Sequence, residues 1–155
     1  MKYTFNPQFT VEQVYRMPFK EERVYQPDGT IKYVPLSSKE GTGIAFFDQL
    51  LEWCSYYCYH DIKALAYNAG LDMTQINGFV YLLTGMDARN FITKYKMRLV
   101  DDYLRYTNLS ATKILEQCGI DSISTFTKRM QKVYKTNIRG RRQSLRQPND
   151  VGRYR

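Results

Sequence analysis

Two stretches of this chain are written in one grammar, and that repetition constrains the fold more than any other feature. The first runs Ile62-Lys63-Ala64-Leu65-Ala66-Tyr67-Asn68-Ala69-Gly70-Leu71-Asp72 and leads into a helical pattern from Met73. The second runs Ala111-Thr112-Lys113-Ile114-Leu115-Glu116-Gln117-Cys118-Gly119-Ile120-Asp121 and leads into another from Ser122 or Ile123. Each is a short helix, a glycine, an apolar residue, an Asp cap and a second helix. Glycine takes the left-handed backbone that a tight inter-helix corner needs, and the apolar residue after it plugs that corner. One such match is common in all-α proteins; two joined by a long helix are far more restrictive.

The surrounding sequence reads as helix from about Thr42. Phe47, Leu50, Leu51, Cys54 and Cys58 recur on one helical face. Asp61 can cap the helix Ile62 to Ala69, and Asp72 with Gln75 forms a capping box ahead of a helix with Ile76, Phe79, Val80 and Leu83 inward. Asp87 starts a long helix over Ala88 to Tyr106. Ser110 caps Ala111 to Cys118, and Asp121 or Ser122 caps a helix with Phe126, Met130 and Val133 inward. Residues 1–43 differ: they hold four of the five prolines, and Arg23-Val24-Tyr25 and Ile31-Lys32-Tyr33-Val34 flank Gln26-Pro27-Asp28-Gly29-Thr30, a turn signal. The fold expected is all-α, two helix-turn-helix subdomains joined by a long linker helix, with a small N-terminal β-hairpin arm. Domain bounds are expected at 1–43 for the arm, 44–142 for the double helix-turn-helix and 143–155 for a basic tail. The linker helix would span ~30 Å, close to the ~34 Å between successive major-groove segments on one face of a duplex.

Charge is distributed unevenly. Residues 1–120 carry 13 Lys/Arg and 13 Asp/Glu, whereas residues 121–155 carry ten Lys/Arg against Asp121 and Asp150. The whole excess of +8 therefore sits in the last 35 residues. Such a block attracts polyanions, of which nucleic acid is the commonest in a cell. A solvated tail, an acidic protein or a membrane surface are the alternatives. No apolar run approaches the ~20 residues of a membrane span, and no apolar signal-peptide core follows the start. Three cysteines suit a reducing compartment, so a soluble, cytoplasmic protein is expected.

Order and spacing of several stretches resemble the DNA-binding domain of AraC/XylS-type bacterial transcription activators, over about residues 44–142. They are Leu65-Ala66-Tyr67-Asn68-Ala69-Gly70, Leu83-Thr84-Gly85-Met86-Asp87-Ala88-Arg89-Asn90-Phe91-Ile92, Lys96-Met97-Arg98-Leu99-Val100, Leu104-Arg105-Tyr106-Thr107-Asn108-Leu109-Ser110, Gly119-Ile120-Asp121-Ser122 and Phe126-Thr127-Lys128-Arg129-Met130-Gln131-Lys132. The chain departs from the family pattern at Ile120, where Phe is usual, and over Tyr134 to Arg142, which lacks the usual Pro and Tyr. The resemblance implies seven helices, the last near Ile138 to Ser144, and a short, sensor-less type of regulator acting as a monomer. Double-stranded DNA is the partner it implies and, second to it, RNA polymerase; no membrane and no cofactor are expected.

By the same resemblance, base-reading positions map onto Thr74, Asn77 and Gly78 of the first unit. Asn77 would pair with adenine and Thr74 would touch a thymine methyl. In the second unit the outward set includes Ile123, Ser124 and Lys128, with Lys128 able to reach a guanine. Arg129, Lys132, Lys135, Arg139, Arg141 and Arg142 are expected on phosphates, which position a protein without specifying sequence. The alternative use of this fold is as a protein-interaction or non-specific architectural DNA-binding module. Cys54 and Cys58 read as core thiols on the buried face of a helix, with His60 falling off that face, rather than as a metal site, and Trp53, Tyr56, Tyr57 and Tyr59 as a core edge rather than a stacking platform. Glu21-Glu22 and Asp101-Asp102 read as solvated charges. With a single His and no phosphate loop or nucleophile elbow, no catalytic site is expected and the chain does not read as an enzyme.

Overall fold

The computed structural model describes residues 6–56 and 62–155. In chain order the elements are α1 (Val11–Val14), β1 (Glu21–Tyr25), β2 (Ile31–Pro35), α2 (Ala45–Tyr56), α3 (Ile62–Ala69), α4 (Met73–Thr84), α5 (Ala88–Tyr106), α6 (Ala111–Gln117), α7 (Ile123–Tyr134) and α8 (Ile138–Leu145). The fold is helix-rich with one small antiparallel hairpin, as the sequence implies. No helix among the described residues is long and apolar enough to cross a membrane. The chain divides into two compact units, one formed by residues up to Arg16 with Gly41–Arg98, the other by Met17–Glu40 with Leu99–Arg155. Helix α5 contributes to both.

In the first unit, Phe47, Leu50 and Leu51 of α2, Leu65 and Ala66 of α3, Ile76 and Val80 of α4, and Phe91 and Tyr95 of α5 are all buried. Phe47, Phe91 and Tyr95 form a run of rings with centroids 5.7 and 6.1 Å apart. The segment before the hairpin is folded into this core. Thr10 and Gln13 cap α1 reciprocally, and Val11, Val14 and Tyr15 are buried. A closed polar circuit holds its end: Arg16 N–H donates to the Tyr95 hydroxyl at 2.9 Å. Ser55 Oγ donates to the Arg16 carbonyl at 3.1 Å, so the Tyr95 hydroxyl supplies the proton of its 2.5 Å bond to Ser55. Burial of Tyr95 pushes its hydroxyl well above the ordinary tyrosine range. Arg16 also pairs with Asp48 at 3.1 Å, and the Arg98 guanidinium lies 4.5 Å from the Tyr15 ring centre.

In the second unit, β1 and β2 pair from Glu21↔Pro35 to Tyr25↔Ile31. Two strands alone are marginal in water. Here the C-terminal residues run along the other edge of β1. Glu21 N–H donates to the Arg155 carbonyl, Arg155 N–H returns to the Glu21 carbonyl, and Arg23 N–H donates to the Arg153 carbonyl, at 2.8 to 3.0 Å. Beneath them Phe19 packs against Tyr103, Tyr106 and Tyr154. Glu21 and Glu22, expected to be solvated, instead pair with Arg155 and Arg153. Asp150 fixes the approach to this strand: buried, it takes the Arg105 guanidinium at 2.7 Å and Gln147 N–H at 2.7 Å.

The repeated grammar yields repeated geometry. Gly70 and Gly119 have φ of +67° and +66°. In each corner the glycine N–H returns three residues, Gly70 to Tyr67 and Gly119 to Glu116, and the next N–H returns five, Leu71 to Ala66 and Ile120 to Leu115. Both are Schellman closures, which satisfy the carbonyls that a helix end leaves open. Asp72 caps α4 through Gln75 with the expected capping box, and Ser122, rather than Asp121, caps α7 through Thr125. The second corner therefore holds one more residue, and equivalent positions lie 50 apart beyond it. The correspondence continues past both helices. Gly85 and Lys135 each follow in the left-handed conformation, and Asp87 and Asn137 each accept from the N–H three residues on, starting α5 and α8.

Burial opposes Asp150 ionisation, but the Arg105 guanidinium and Gln147 N–H outweigh it and hold the carboxyl below its ordinary range. Its contribution is present above the unfolded carboxylate pKa, ~3.9, and disappears as pH falls through the lower folded value. Asp150→Asn is expected to lower stability at neutral pH, with the gap to the natural protein closing on acidification below ~4, as followed by urea unfolding across pH.

Candidate nucleic-acid interface

Helix α7 is anchored by Phe126 and Met130, both buried, and turns Ser124, Lys128, Gln131 and Lys132 outward at helical spacing. Thr127 donates its hydroxyl proton to the Ile123 carbonyl at 2.8 Å and so has no proton to offer a partner on that face. Lys128, Lys132, Lys135 and Arg139 are exposed and Arg129 is partly so. Among the described residues no carboxylate pairs with any of these five cations. They form a positive strip along α7 and the turn into α8. Ser124 lies in the capping cluster, 3.3 Å from Ser122 Oγ, and Ile123 is exposed beside it.

Other basic residues of the tail are used inside the protein. Arg141, expected on phosphate, grips Asp101 bidentately at 3.0 and 2.7 Å, with its guanidinium 3.7 Å from the Tyr134 ring centre. Asp101 and Asp102, read as solvated charges, are both buried. Arg142, also expected on phosphate, donates to the carbonyls of Leu104 and Leu109. Arg146 donates to the carbonyls of Leu104, Arg105 and Thr107 and to Asn108. These are the open carbonyls at the end of α5 and just after it, where cations are favoured both as donors and by the helix dipole. Arg153 and Arg155 are neutralised by the hairpin.

On α4, Thr74 and Gly78 are exposed. Asn77 is half-buried and its Oδ1 accepts from Ala88 N–H at 3.1 Å, tying α4 to the start of α5. The bidentate adenine contact expected of Asn77 needs that same oxygen. Phe79, expected inward, is 49% exposed and meets Phe46, with ring centres 5.7 Å apart. Val133 of α7, also expected inward, is 55% exposed. Cys54 is buried, and burial pushes its thiol up to about 12, as expected of a core thiol. Cys58, Tyr57, Tyr59, His60 and the expected Asp61 cap lie outside the described residues. Among those described, no group of His, Cys, Asp or Glu gathers as a metal site.

No protein-family model matches this sequence, and no curated protein matches it. Its structure is similar to that of the xylose-binding transcription activator XylR, with a TM-score of 0.56 and 18% sequence identity. The match covers 76% of this chain but 31% of the activator. At that identity the likeness is one of fold.

Gly78 sits inside α4 with nothing within 4 Å of where a Cβ would stand. Gly78→Ala is expected to raise the unfolding free energy by about 0.5–1 kcal/mol, because glycine in a helix interior loses more backbone freedom than alanine; chemical denaturation measures it.

Proposed function

We propose that this protein is a sequence-specific, double-stranded DNA-binding transcription regulator whose reading helix is α7. The observation that carries the proposal is the strip of five cations without acidic partners, on and beside the one helix that the two corners expose with both a cap and a polar face. Resemblance to the AraC/XylS DNA-binding domain and the fold shared with a transcription activator support the same reading. In it, Lys128 and Ser124 face base edges, Ile123 offers apolar contact to a thymine methyl, and Arg129, Lys132, Lys135 and Arg139 rest on phosphates. Arg141 and Arg142 act indirectly, by holding α8 against the end of α5.

The reading extends to a double helix-turn-helix architecture, α3–α4 and α6–α7, of which the α6–α7 unit docks in a major groove. Matching Schellman corners and caps favour a common architecture. The chemistry of the two outward faces is unequal, so duplex affinity is assigned to the second unit.

Selection from random duplexes is expected to enrich one motif. On the selected duplex, replacing Lys128, Arg129 and Lys132 with Ala should weaken binding and flatten its salt dependence by about one unit of slope for each phosphate no longer neutralised. Thr74→Ala should leave the slope unchanged. A triple variant with the natural affinity and slope, in a fluorescence-anisotropy titration, would overturn the assignment to α7.

A further inference from the structure

We infer that the outward face of α4 is a contact surface for a second copy of this chain, centred on Gly78. The inference does not depend on DNA reading by α7. Its basis is a position-by-position contrast between the two halves of the repeat. With equivalent positions 50 apart, Gly78 corresponds to Lys128, Phe79 to Arg129, Leu82 to Lys132 and Gly85 to Lys135. Every cation along that face of α7 and its cap is a glycine or a large apolar residue on α4. Helix α4 contains no Asp, Glu, Lys or Arg at all. Its surface instead shows Phe79, Tyr81 and Leu82, which are 49%, 52% and 61% exposed.

Such a face is a poor partner for a duplex. It has no cation for a phosphate, and its amide side chains are engaged: Gln75 Oε1 accepts from Asp72 N–H at 2.9 Å, and Asn77 Oδ1 accepts from Ala88 N–H. A surface that covers it must itself be uncharged, since a charge buried against it would go unpaired. The α4 face of another copy meets that requirement. The unit that carries α4 has seven Lys/Arg against six Asp/Glu, while the other unit has sixteen against nine. Copies meeting through α7 would repel; copies meeting through α4 would not.

Shape agrees with charge. Gly78 leaves open space on the helix surface, and Leu82 stands one turn further along the same face. A notch beside a knob on one helix is self-complementary about a twofold axis, with Leu82 of each copy entering the notch of the other. Burying the exposed rings and Leu82 supplies the driving force.

Sedimentation velocity of the full chain without DNA, over a hundredfold range of concentration, tests this. A monomer–dimer equilibrium is expected. Leu82→Glu, which places like charges across the axis, should weaken it by at least about tenfold, and mixing Leu82→Glu with Leu82→Lys should restore a heterodimer. Circular dichroism checks that each variant is folded. A natural protein that stays monomeric throughout overturns the inference, as does a dimer indifferent to Leu82→Glu. A folded Leu82→Glu that loses duplex binding while its association state matches the natural protein would assign the face to DNA instead. Loss of DNA binding by the α7 variants leaves this result untouched.

Discussion

The last carbonyls of a helix need donors, and how α5 obtains them governs the second half of this molecule. Arg142 and Arg146 fill that end with guanidinium groups, and Arg141 anchors the same helix through Asp101. Because these contacts are to the backbone and to a buried carboxylate, they are insensitive to what α5 presents at its surface. They fix α8, and α8 closes the turn that follows α7. A block of positive charge that looks uniform in sequence is thus split in two: arginines that build the scaffold, and lysines and arginines that remain for a partner. Five of the ten cations in residues 121–155 are engaged inside the protein, so counting charge overstates the interface twofold.

Helix boundaries and corners were legible because their signals are local. Gly70 and Gly119 have no alternative to the left-handed corner at that spacing, and Asp72 and Ser122 each find an N–H three residues away. The hairpin could be read because Pro, Asp and Gly mark its turn. Roles that depend on distant partners could not. Arg141 meets Asp101 across 40 residues and Arg153 meets Glu22 across 131, and neither separation leaves a periodic trace. The alternation Arg153-Tyr154-Arg155 opposite Glu21-Glu22 was the available hint of a strand-like end. Phe79 and Val133 misled for a different reason: an apolar residue at helical spacing reads as inward whether or not anything covers it. Asn77 misled because an amide can read a base or brace a neighbouring helix, and only the position of Ala88 N–H decides.

The two halves illustrate how one backbone plan can diverge in chemistry. Corners, caps and buried anchors correspond, with Ile76 and Val80 matched by Phe126 and Met130 as the inward pair of each second helix. What differs is confined to the outward faces, where substitution does not disturb the core. That separation lets one half carry charge and the other apolar surface without cost to the fold that they share.

Lys135 has a consequence of its own. It occupies the left-handed cap that the first half gives to Gly85, with φ of 58°. An L-residue with a side chain is held there against a local steric penalty of ~1 kcal/mol or more. Glycine would relax the turn but would break the charged strip between Lys132 and Arg139, just where the chain leaves α7 and bends toward α8. The turn therefore trades ease of closure for reach: its lysine extends the field of the helix past its own last carbonyl, around a corner where a regular helix could place nothing.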